Sequence, residues 1–256
     1  MDKNIPVFPV FEKIETEHRN IFDEYLGPME PAVSEFNFTE IFMWRKIRFS
    51  ILNGSLCIML EKNKKKFFYR PLGRRDTEKT VRELLEWGCK ELGDCSVYGF
   101  LEEELPVLGI TDKNYDISSD RADSDYLYRA SDLIELVGRK YDGKRNHIKR
   151  FEEEYEVQME EISPGNAREC LAFQRKWYEM RGCEDDMSLA YENCAVIEVF
   201  ENFENLPVFG ALMRFKKEII GYTLADKLND KTAIIIAEKA DYNLSLIHIS
   251  EPTRPY

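Results

Sequence analysis

The sequence predicts a mixed α/β protein of the α+β type, built as two domains. Three observations carry this expectation. The chain has 256 residues, 43% of them hydrophobic and 33% charged, which suits one large or two modest globular domains. Each half reads as amphipathic helices plus strands joined by tight turns, in similar order. Asn53-Gly54 lies between two apolar runs, the strongest short signal for a β-hairpin.

The elements follow in chain order. Phe11–Leu26 reads as an amphipathic helix closed by Gly27-Pro28, and Thr39–Arg45 as a second helix. Ile47–Leu52, Ser55–Glu61 and Lys66–Arg70 read as strands. Thr77–Leu92 carries Val81, Leu84, Leu85 and Leu92 at helical spacing. Cys95–Phe100 and Tyr126–Arg129 read as further strands. The second half opens with Ser131–Tyr155, mostly helical, then Tyr155–Ile162 as a strand. Ala167–Met180, entered through Ser163-Pro164-Gly165-Asn166, and Leu189–Phe203 are helices. Pro207–Phe215, Ile219–Lys227 and Thr232–Ala237, joined by Lys216–Glu218 and Asn229-Asp230, predict an antiparallel meander.

Composition excludes several classes. No apolar run approaches the roughly 20 residues of a membrane helix. The N-terminal residues lack a signal-peptide core, so the expected location is the cytoplasm. Six scattered cysteines form no CxxC pair and read as reduced thiols, and three histidines make a multi-histidine metal centre improbable, so no metal is expected. Cys183 has no histidine close by in sequence and is not favoured as a nucleophile. The net charge of −12 argues against broad nucleic-acid binding but leaves room for a local basic site.

One such site stands out. Between Arg139 and Arg150 there are six basic residues and one acid, and between Glu152 and Glu161 six acids and no base. In a helix this order opposes the macrodipole, whose N-terminal end disfavours cations, so stability alone would place the charges the other way. Tyr141, Ile148, Phe151 and Tyr155 form one apolar stripe, and helical spacing sets Lys144 and Arg145 along it, facing the protein. A half-buried cation needs a paired charge or a bound anion. Lys144 fits an anion ligand and a snorkelling surface residue equally well. Arg145 is favoured as a ligand, since its fork suits phosphate or carboxylate. Asn146 could orient a carbonyl or cap the helix, and His147 could be a base or a structural residue. Tyr126, Tyr128, Trp177 and Tyr178 could line an acceptor groove, although such aromatics more often pack cores, as Trp44 and Trp87 are expected to do.

The stretch Gly138-Arg-Lys-Tyr-Asp-Gly-Lys-Arg-Asn-His-Ile-Lys-Arg-Phe151 resembles the signature of a bacterial family related to the catalytic C-terminal domain of phosphatidylglycerol lysyltransferase. Its pattern is Gly-basic-Lys-aromatic, three residues, Arg-Asn, then an apolar residue. Ser34-Glu-Phe-Asn-Phe-Thr-Glu-Ile-Phe-Met-Trp-Arg45, Asp125-Tyr-Leu-Tyr128, Arg181-Gly-Cys183 and Ile236-Ala-Glu-Lys-Ala240 are similar to it too, so the resemblance spans residues 5–241. It implies two GNAT-like domains, residues 1–130 and 131–243, each a mostly antiparallel or mixed sheet flanked by helices. It also implies an acyl-CoA or aminoacyl-tRNA donor and the basic helix near the groove between domains. The acceptor would be an amine or hydroxyl, such as a lipid headgroup.

The resulting expectation is an acyl or aminoacyl transferase that works by positioning and oxyanion stabilisation. Arg139, Lys140, Lys144, Arg145, Asn146 and Arg150 would hold the donor's phosphates. His147 and Glu238 are the candidate catalytic groups, Glu238 being a general base or simply the partner of Lys239. The alternative is a non-catalytic module on a degenerate transferase fold that recognises a phosphate-bearing ligand. Residues 244–256, LSLIHISEPTRPY, resemble a translated transposase adapter of the kind used to build sequencing libraries. They are expected to be a non-native, irregular tail on a second domain cut short near Asn243, with the donor-binding helix beyond the cut and the fragment inactive.

Overall fold

The computed structural model describes residues 5–44, 46–62, 65–73, 76–93, 95–182, 186–241 and 244. It shows a mixed α/β protein with two sheets flanked by helices, an arrangement consistent with an α+β, GNAT-like fold. The chain divides into two compact units, residues 1–124 with 227–232 and residues 125–226 with 233–256.

The first unit is built on a five-stranded sheet. Its strands are β1 (Glu12–Lys13), β2 (Arg48–Leu52), β3 (Ser55–Lys62), β4 (Lys65–Tyr69) and β5 (Val97–Tyr98), in that spatial order. The first three pairings are antiparallel, and β4 and β5 are parallel. The hairpin expected at Asn53-Gly54 forms, with both residues at positive φ (53° and 74°), as a type I′ turn requires. Helices α1 (Arg19–Leu26), α2 (Phe38–Met43) and α3 (Thr77–Leu92) flank the sheet. The Asn37 side chain accepts from Glu40 N and caps α2. Phe22, Phe49, Phe68, Leu56 and Leu84 are fully buried, and Trp87 packs with Phe8, Phe11 and Phe68. Trp87 is thus the packing residue its helical face implies, whereas Trp44 is 37% exposed. Asn37 also donates to the Lys227 carbonyl (3.2 Å), and Asn229 to the Pro31 carbonyl (2.9 Å), which ties residues 227–232 into this unit.

The second unit is built on a four-stranded sheet. Strands β6 (Val157–Glu161), β7 (Phe209–Phe215), β8 (Glu218–Asn229) and β9 (Thr232–Ala240) lie in sequence order. The first two pairings are antiparallel, and a two-residue turn joins β8 to β9, so the predicted meander is present. Helices α4 (Ala130–Glu135), α5 (Asp142–Glu154), α6 (Ala167–Arg181) and α7 (Met187–Glu201) complete it. A Cβ at Gly210 of β7 would sit 2.2 Å from the Thr223 carbonyl oxygen, so the β7–β8 approach requires glycine there. The register shifts between Met213 and Arg214, which leaves Ile220 as an extra residue on β8. That bulge turns Ile220 to the sheet face where Phe151 packs, while Tyr222 packs with Phe173 and Phe200 of α6 and α7.

Several expected elements differ. Phe11–Glu15 is not helical; Glu12 and Lys13 pair with Phe49 and Arg48, a long-range demand that local periodicity does not reveal. Tyr126–Arg129 is not a strand; its residues are exposed and no ladder pairs with it. Ser131–Tyr155 is broken at Leu136, whose φ of 49° is left-handed, and at Gly138 (φ 95°). Cys183 and residues 245–256 lie outside the described residues. Leu244, the first residue of the expected tail, packs against the Phe151–Ile220 cluster, and its N–H donates to the Asp241 carbonyl.

Burial sets cysteine reactivity. Cys57 and Cys170 are fully buried, and burial pushes each thiol up to about 12, whereas Cys89 and Cys194 are exposed. Because the thiolate is the nucleophile, alkylation at mildly alkaline pH should label Cys89 and Cys194 at least about a hundredfold faster than Cys57 and Cys170. Peptide mapping by mass spectrometry reads this directly. Equal labelling of Cys170 would contradict its burial on α6.

Candidate functional site

The basic helix α5 lies on the second sheet through one stripe. Phe151 (9% exposed) and Ile220 form its core contact, with Tyr155, Val157, Met213, Phe215 and Ala240 around them. The predicted stripe is therefore real: Phe151 is buried, and Tyr141, Ile148 and Tyr155 are half-buried. Ala240 belongs to this contact, and strand alternation sets Glu238, two residues earlier on β9, on the same sheet face. The structure thus puts Glu238 and the basic helix on one face of one sheet. Glu238 is exposed there.

The six predicted phosphate ligands do not share one environment. Lys144 is half-buried, as its place between Tyr141 and Ile148 along the stripe requires. Arg139, Lys140, Asn146, His147 and Arg150 are exposed. Lys140 pairs with Asp132 at 3.4 Å and lies 4.7 Å from the Tyr141 ring centroid; contacts with Tyr141 and Asp132 raise its pKa. Arg145 departs from the inward orientation expected of it. Its guanidinium donates to the carbonyls of Leu136 and Gly138 (3.1 Å to the latter) and pairs with Asp142. The reason is local. The left-handed break at residues 136–138 leaves carbonyls outside any helix, and a guanidinium fork one turn into α5 satisfies them. Arg145 therefore shapes the entry to the basic helix.

The opposite sheet face carries a polar chain that sequence reading missed. Tyr222, 4% exposed, donates its hydroxyl to Gln174 Oε1, and Gln174 Nε2 donates to Asn193 Oδ1 at 2.8 Å. Burial raises the Tyr222 pKa well above its ordinary value, so the phenol stays protonated and a donor. Trp177 Nε1 donates to the Ala240 carbonyl at 3.0 Å. Lys239 pairs with Glu192 and lies 4.7 Å from the Trp177 ring centroid, and Arg181 lies 5.6 Å from it. Lys239 is thus held by Glu192, and strand alternation sets it on the other side of β9 from Glu238. Trp177 is the only one of the four suggested groove aromatics that is buried; Tyr126 and Tyr128 stack on each other at 6.5 Å in an exposed position, and Tyr178 is half-buried. The signal for these contacts was the helical spacing of Ala167, Cys170, Phe173, Gln174 and Trp177 in α6, which marks a buried face but not its partners. Arg214 anchors α6 to the sheet edge through Glu160 (2.7 Å) and Glu169 (2.8 Å). Among the described residues, no group of three or more His, Cys, Asp or Glu side chains could hold a metal ion.

The second unit is thus a helix-flanked antiparallel meander with a basic helix across one face. The family model described as phosphatidylglycerol lysyltransferase, C-terminal, matches residues 27–246, most of the chain, and the chain belongs to that family. A crystal structure of a conserved protein of unknown function from Bacteroides thetaiotaomicron is similar over 91% of this chain and 81% of its own, at 26% identity and a TM-score of 0.83. The C-terminal domain of a protein described as a lysylphosphatidylglycerol synthetase from Agrobacterium fabrum shares the fold at 10% identity and a TM-score of 0.52, over 90% of this chain and 70% of that one. No curated protein matches the sequence. No helix among the described residues is long and apolar enough to cross a membrane.

Proposed function

We propose that this chain belongs to a GNAT-like acyl or aminoacyl transferase whose donor is an acyl-CoA or an aminoacyl-tRNA. The observation that carries the reading is the shared sheet face of Glu238 and the basic helix α5. An acceptor amine or hydroxyl attacks the donor's ester or thioester carbonyl. The new C–N or C–O bond forms, the C–S or C–O bond to the carrier breaks, and the leaving thiolate or ribose oxygen takes up a proton. Glu238 accepts the proton that the acceptor loses, and His147 is the second candidate for that role. Arg139, Lys140, Lys144, Asn146 and Arg150 draw the donor's phosphates to a protein of net charge −12, where no general attraction would bring them. Arg145 takes part by holding residues 136–138 against the helix that carries these groups.

Titration of the protein with acetyl-CoA and with aminoacyl-tRNA tests the donor site. Reversing charge with Arg139→Glu and Arg150→Glu together should weaken binding by at least about tenfold, roughly 1.4 kcal/mol. The wild-type affinity should also fall as salt rises. Arg145→Lys should act differently, lowering the melting temperature of α5 as well as the affinity. Equal affinities for wild type and the double variant would move the donor site elsewhere. Tight binding without turnover would favour the non-catalytic reading.

A further inference from the structure

Strand β9 ends in two adjacent residues of opposite charge, Glu238 and Lys239, and strand alternation sends them to opposite faces of the sheet. Among the described strands β9 lies at the edge, beside β8 alone. Its apolar run Ile234-Ile-Ile-Ala237 reads alike in either register, and Ile236 and Ala237 are both buried. The neighbouring β8 already accommodates an extra residue at Ile220. The apolar pattern therefore offers little resistance to a one-residue slip at this end, and such a slip would exchange the residue shown on each face.

A receptor on the helix side distinguishes the two charged residues. Lys239, its side chain 11% exposed, pairs with Glu192 of α7 and lies 4.7 Å from the ring centroid of Trp177 on α6. A carboxylate and the negative face of an indole both attract an ammonium. Both repel a carboxylate, so Glu238 in this place would lose an ion pair and meet two repulsions. A slip the other way would put Ala240 there and leave Glu192 without its cation. Trp177 also fixes the strand along its length. Its Nε1 donates to the Ala240 carbonyl at 3.0 Å, next to the bond from the Asp241 N–H to the Ile220 carbonyl at 2.8 Å. A partly buried ion pair is weak evidence for stability, because desolvation offsets its attraction, but it is well suited to selecting one register.

We propose that Trp177 and Glu192 are positioning residues for the transfer reaction. By holding Lys239 on the α6–α7 side of β9, they set the Glu238 carboxylate on the side of α5. They act through Lys239 and the strand end. The catalytic half of this inference rests on Glu238 as the base of the transfer; the register half does not.

Single-turnover transfer from acetyl-CoA and from labelled lysyl-tRNA, run beside amide hydrogen exchange, tests both halves. Glu192→Gln and Lys239→Met should each lower the transfer rate by about tenfold, with donor affinity changed by less than about twofold. Because the two side chains act as a unit, the double variant should be no slower than either single one. Lys239→Arg, which keeps the cation, should stay within about threefold of wild type. Exchange at residues 236–241 should quicken by about tenfold in Glu192→Gln, in Lys239→Met and in Trp177→Phe, which keeps a ring and removes the N–H donor. Leu212 and Leu224, fully buried in the same sheet, should stay as protected as in wild type, which separates a local release from loss of the fold. Wild-type transfer rates in Glu192→Gln and Lys239→Met, or unchanged exchange at residues 236–241, would overturn the proposal. So would equal loss of protection across the whole sheet, the mark of general supports of the fold. If wild type transfers from neither donor, the transferase reading falls, and exchange alone decides whether the register is held as described.

Discussion

Phe151→Ala should destabilise the second unit by about 3 kcal/mol, the low end of the cost of removing a buried aromatic ring. Phe151 is the one buried residue that α5 contributes. Its ring meets Tyr155 at 5.0 Å between centroids, and Tyr155 in turn meets Phe215 edge-on at 5.2 Å. Its removal leaves a gap among Ile220, Val157 and Met213 on β8, β6 and β7, and the β7–β8 pairing is already irregular at a bulge. Little else can hold this helix down, because its remaining residues are exposed or half-buried and it has no side-chain N-cap. Thermal and urea unfolding measured by circular dichroism checks the magnitude. Ile134→Ala, on an exposed side chain of α4, should change stability by less than about 0.5 kcal/mol and serves as the control. A loss below about 1 kcal/mol for Phe151→Ala would mean that α5 is not anchored as described.

Glu238→Gln should lower the transfer rate by about a hundredfold or more, the usual scale of a general base, while donor affinity changes by less than about twofold. The substitution keeps shape and removes the negative charge together with the ability to take a proton. Glu238 is exposed on β9, so its loss should cost little stability. His147→Gln provides the comparison, since His147 also lies exposed on α5. A large rate effect at His147 and none at Glu238 would exchange their roles.

Much of the fold was legible because it is governed by local chemistry. The helix at Thr77–Leu92 shows its periodicity and matches its predicted bounds, and the turn at Asn53-Gly54 follows from two residues that tolerate positive φ. The meander β7–β8–β9 was readable from alternating runs and short turns. What sequence did not show depends on distant partners. Glu12 and Lys13 are extended because β2, more than thirty residues on, offers an edge. Tyr126–Arg129 has strand-like composition and finds no ladder.

The candidate site divides in the same way. The basic run and its apolar stripe could be read from spacing, since both follow helical geometry. Arg145 could not. Its orientation is set by the carbonyls of Leu136 and Gly138, which lie within its reach because the predicted continuous helix breaks there. The pairing of Lys239 with Glu192 and the Tyr222–Gln174–Asn193 chain join residues about twenty to fifty positions apart, across elements whose packing no local pattern specifies.

The central claim is that the face carrying α5 and Glu238 serves group transfer. Single-turnover transfer tests it most directly. The protein is mixed with acetyl-CoA or with labelled lysyl-tRNA, together with amine and hydroxyl acceptors that include phosphatidylglycerol. The account predicts label on an acceptor from one of the two donors, well above the uncatalysed rate, and a drop of about a hundredfold in Glu238→Gln with donor binding retained. Donor binding with no transfer to any acceptor, or equal transfer by wild type and Glu238→Gln, would contradict it.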